Sequence, residues 1–117
     1  MRPTTILSLV LFVFLVAACG AKVDPNTPPE IVYGEDICDQ CGMIISDERF
    51  AAAAVVEVAE NDYEQRLFDD IGGMFRYAAE HPELHFATFF VHDYNSKEWI
   101  DAREAHFVLA DDLHTPM

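Results

Sequence analysis

Basic residues are what this sequence has least of. Seven Lys and Arg stand against 21 Asp and Glu in 117 residues, a formal net charge of −14. Nucleic-acid binding draws its affinity from cations that neutralise phosphates, so a nucleic-acid partner is excluded. No phosphate-cradling glycine loop occurs, nor a serine or cysteine triad with a defined spacing, and that removes the motif-bearing nucleotide and acyl-transfer enzymes. No internal repeat is visible, and no apolar run reaches the about 20 residues that a membrane-spanning helix needs. Cysteine occurs three times, at 19, 38 and 41.

The chain opens with Arg2, then a stretch from Ile6 to Ala18 that is apolar apart from Ser8, and then Val16-Ala17-Ala18-Cys19. A short positive region followed by a short apolar one and small residues marks a signal peptide. The small residues before Cys19 resemble a bacterial lipobox, so residues 1–18 are expected to be removed and Cys19 to carry lipid. Cleavage would leave six basic against 21 acidic residues, a formal charge of −15. Such a protein is expected to be held at a membrane by lipid rather than by charge. Residues 19–36, with Pro25, Pro28, Pro29 and Gly34, read as an extended tether to a domain over 37–117.

The densest chemistry lies in Cys38-Asp39-Gln40-Cys41-Gly42-Met43, which holds two thiols and a thioether. Thiolate and thioether sulfurs are soft donors that select Cu(I) over hard ions such as magnesium. The same spacing also suits a redox dithiol, half of a zinc site completed by two histidines, or a structural disulfide. A disulfide across so small a loop would add little stability, which leaves metal binding or thiol exchange. Thiol exchange is favoured by a cysteine at a helix N-terminus or beside positive charge, and the sequence displays neither.

Beyond the motif, Ile44-Ile45 reads as a strand end and Ser46 to Arg49 as a turn. Phe50 to Val58 is read as a strand through Val55, Val56 and Val58, although the alanines at 51–54 favour helix. Asn61-Asp62 turns it into a second strand, Tyr63 to Phe68. Asp69 and Asp70 followed by Ile71, Met74, Phe75 and Tyr77 predict a capped helix over 70–80, and the two aspartates are given a capping role and no chemistry. His85 to His92 and Lys97 to Ile100 are strands joined by the turn Asp93 to Ser96, and His106 to Ala110 is expected to be another strand. The result is an α+β domain with a mainly antiparallel sheet.

Taken together, Cys38-x-x-Cys41-Gly42-Met43, Phe50-Ala51-Ala52, Phe68-Asp69-Asp70-Ile71-Gly72, Val91-x-Asp93, Trp99-Ile100-Asp101-Ala102 and the closing Thr115-Pro116-Met117 resemble the NosL family. The resemblance implies small ββαβ-type units. It also implies a non-enzymatic Cu(I) metallochaperone, lipid-anchored in the cell envelope and facing the periplasm. Its partners would be the nitrous oxide reductase apoprotein and the membrane transporter that works beside it. Cys38 and Cys41 are expected to supply thiolates, with Met43 and Met117 as thioether donors; Met117 enters only through the resemblance. Met74 stands where some relatives carry a further cysteine, and His114 lies close to Met117. Relatives usually continue past Thr-Pro-Met with a glycine-rich segment, a helix and a strand. Either the domain is shortened or the sequence is a fragment; if the further segment completes the second unit, the apolar strands near Phe89 and Phe107 are expected to lose cover.

Overall fold

The computed structural model describes residues 20–116. The signal peptide and the lipid site expected at Cys19 lie outside the described residues, as does Met117. Five elements follow one another: β1 (Ala52–Ala59), β2 (Asp62–Phe68), α1 (Ile71–Glu80), β3 (His85–His92) and β4 (Trp99–Asp101). The strands form one sheet in the order β2-β1-β3-β4, and every neighbouring pair is antiparallel. The chain is thus the small α+β fold expected from the sequence.

At Phe50 to Val58 the valines prevail over the alanines. β1 is the central strand between β2 and β3, and Ala51 through Val56 are fully buried. Alternate residues of a strand face opposite sides. Ala52 and Ala54 accordingly join Cys38, Ile45, Phe68, Met74 and Val91 in the larger core cluster, while Ala53 and Val55 join Phe90 in a smaller one. Small side chains at the strand centre leave room for large neighbours such as Phe68 and Met74. The turn between β1 and β2 places Asn61 at φ +56, a conformation asparagine tolerates.

The helix begins where its cap predicts. The Asp70 carboxylate accepts hydrogen bonds from the amides of Gly72 at 2.7 Å and Gly73 at 3.3 Å. Phe86 stacks on Phe89, with ring centroids 5.3 Å apart, and Phe75 packs against Phe89 from the helix. At the end of β3, His92 donates from Nδ1 to the carbonyl of Ala51 at 2.9 Å and lies against the Trp99 ring, with ring centroids 3.7 Å apart.

Two expectations are corrected. His106 to Ala110 forms no strand: the segment follows β4 without pairing, and Phe107, Val108 and Leu109 are 54%, 82% and 97% exposed. Its composition favours strand, but strand is realised only where a partner edge supplies hydrogen bonds. The segment read as a tether also packs onto the domain. Val23 covers the smaller core cluster, Ile31 belongs to the larger one, and the Tyr33 hydroxyl faces His92 Nε2 at 3.5 Å.

Candidate metal centre

The Cys38–Met43 loop is a hairpin turn fastened to an edge strand. An isolated bridge pairs Ile37 with Ile44, the Cys38 amide donates to the Met43 carbonyl at 2.8 Å, and the Gly42 amide donates to the Cys38 carbonyl at 2.9 Å. Gly42 stands at φ +74, where an L side chain would be strained, so the tight reversal calls for glycine. Asp39 then ties the loop to β2 twice: its amide donates to the Leu67 carbonyl at 2.8 Å, and its carboxylate accepts from the Leu67 amide at 2.7 Å. Gln40 adds a bond to Glu80 near the end of α1 at 3.0 Å.

This docking brings the loop beside the junction of β2 and α1, where Asp69 waits. The sulfurs of Cys38 and Cys41 and a carboxylate oxygen of Asp69 all lie within 4.8 Å of one another. The Cys41 thiol donates to Asp69 Oδ1 at 3.6 Å. Neither cysteine is in a disulfide. Three donors gathered from two segments, two of them soft sulfurs, can hold a metal ion.

The two thiols have different surroundings. Cys38 is 2% exposed and packs in the core, whereas Cys41 is exposed. Burial pushes the Cys38 thiol up to about 11, and the lowering effect of the Asp69, Cys41 and Gln40 backbone does not overcome it. Cys38 is therefore an anchored donor, and Cys41 one that can be approached from solvent.

The other residues singled out in the sequence are distributed differently. Met43 is 45% exposed on the same loop. Met74 is fully buried in the larger core cluster, in keeping with a packing role. His114 is exposed on the segment after β4. No histidine joins the Cys38–Cys41 pair among the described residues, so the two-cysteine, two-histidine zinc arrangement is not formed there. The sequence assigns Asp69 to the cap with Asp70, whereas the cap is Asp70 alone and Asp69 stands with the thiols. One carboxylate suffices for a cap, and the second of two adjacent aspartates was the signal to follow.

A second concavity of about 650 Å³ lies among Phe50, Ile71, Val91, His92, Ile100 and Phe107. It does not include either cysteine.

No curated protein and no solved structure matches the chain. The family model of NosL matches residues 29–117, which takes in the whole sheet, the helix and the Cys38–Cys41–Asp69 group. With more than half of its length inside that match, the chain belongs to the NosL family.

Proposed function

We propose that this protein is an exported, lipid-anchored metallochaperone that carries Cu(I) as its cargo and delivers it for assembly of nitrous oxide reductase. Family membership supports the copper-related accessory role. The observation that carries the reading is the donor group itself: two sulfurs and a carboxylate within 4.8 Å, one sulfur buried and the other exposed.

A carrier must hold its ion without enclosing it. Cys38, set in the core, fixes one end of the ion's position. Cys41 faces solvent, so a sulfur or imidazole of the acceptor can approach from that side and displace it first. Met43, exposed on the same loop, and Met117 are the thioether donors of this proposal. The partners are the nitrous oxide reductase apoprotein and its associated membrane transporter. The site faces the periplasm, and the anchor is the lipid on Cys19. Nothing in this role requires covalent catalysis.

The test is an anaerobic titration of the reduced protein with Cu(I) against a chromophoric chelator, with Zn(II) in parallel. Cu(I) is expected to be withdrawn from the chelator, and Cys38→Ser and Cys41→Ser are each expected to abolish this. Equal Cu(I) binding by the native protein and both variants would overturn the proposal, and selective Zn(II) binding would replace it with a structural zinc site.

A further inference from the structure

We propose that Cys38 and Cys41 also form a thiol–disulfide exchange pair: Cys41 accepts a mixed disulfide from a small external disulfide, and Cys38 resolves it into a bond that shuts the metal site. Only the shutting of the site rests on the copper reading; the exchange stands without it.

Exposure sets the order of events. An external disulfide can reach Cys41, which is exposed, but not Cys38, which is 2% exposed. The two sulfurs lie within 4.8 Å, in a turn closed by the Gly42–Cys38 hydrogen bond, so side-chain rotation can bring them to the about 2.05 Å of an S–S bond. A loop this short gains little from closure, so the resulting bond stays easily reducible.

In the first step the Cys41 sulfur attacks one sulfur of the external disulfide R–S–S–R. The Cys41–S–R bond forms, the R–S–S–R bond breaks, and the departing thiolate takes up the proton that Cys41 has lost. In the second step the Cys38 sulfur attacks Cys41 Sγ, the Cys38–Cys41 bond forms, and a second R–SH leaves with the proton from Cys38. Two electrons pass from the cysteine pair to the external disulfide. Both sulfur donors are then tied up, and the group can no longer hold a soft ion.

The experiment treats the full chain, in detergent and free of metal, with glutathione disulfide and locates the products by peptide mass spectrometry. The native chain is expected to yield a Cys38–Cys41 disulfide with release of two glutathione per chain. Cys38→Ser should stall with glutathione on Cys41, and Cys41→Ser should leave Cys38 unmodified in the folded protein. A native chain that accumulates glutathione on Cys41, as Cys38→Ser does, would overturn the resolving role of Cys38. Modification of Cys41→Ser at the native rate would overturn the order of attack. In a second arm the oxidised chain is expected to lose Cu(I) binding and regain it after dithiothreitol; retained binding would overturn the shutting of the site. Failure of the copper reading itself would show separately, as absent Cu(I) binding by the reduced chain.

Discussion

Asp69 and Asp70 are adjacent carboxylates with separate tasks, one beside the thiols and one on the amides of Gly72 and Gly73. Asp70→Ala should lower stability by about 1 kcal/mol in a thermal melt, the usual cost of a lost helix cap, and leave Cu(I) affinity nearly unchanged. Asp69→Asn should do the reverse, with an unaltered melt and roughly tenfold weaker Cu(I) binding in the chelator competition. The sequence announces the cap but not the site, because a side chain's distance from a loop 28 residues away is set only by the fold. His92 gives a second test at this scale. Burial lowers its pKa below the ordinary 6.5, while the Ala51 carbonyl and Glu48 pull it upward to a lesser degree. The folded protein therefore binds fewer protons here than the unfolded chain, and stability rises with pH across this window. The contribution is fully present above about 6.5 and is lost as pH falls toward the depressed value. His92→Gln should flatten that part of a stability–pH profile measured by denaturant unfolding.

Among the elements, β1 to β4 and α1 were legible because their patterns are local: β-branched valines at 55, 56 and 58, an Asn-Asp turn, an aspartate cap. What was not legible depends on partners. Ile31 packs in the core although prolines precede it, and residues 106–110 stay unpaired although they favour strand. The Cys38–Met43 loop was recognised from its residues, yet its fastening to β2 through Asp39 appears only in three dimensions. That fastening is testable. Asp39→Ala removes the side-chain bond to Leu67 but leaves both thiols, so it should weaken Cu(I) binding several-fold without the complete loss expected of Cys41→Ser. Gly42→Val, at φ +74, should cost more than about 1 kcal/mol in stability and loosen the same turn.

At the scale of the whole molecule, charge and the uncovered apolar segment act in opposite directions. With 21 acidic and seven basic residues, self-repulsion opposes the compact state. Moderate salt screens it, so the melting temperature should rise between low and physiological ionic strength, as read by calorimetry. Val108 and Leu109, 82% and 97% exposed, bury almost nothing. Replacing both with serine should change stability by less than about 0.5 kcal/mol each and reduce self-association in sedimentation runs.

Val23 packs on the face of the sheet that carries Ala53 and Val55, whereas Cys38 packs on the face of Ala52 and Ala54. The proposed lipid on Cys19 is four residues away from Val23, no more than about 14 Å of extended chain. The domain would then stand close to the bilayer with its Val23 face toward the lipid and the thiol-bearing face turned to the aqueous side. So short a link would limit how far the domain can turn before it meets an acceptor.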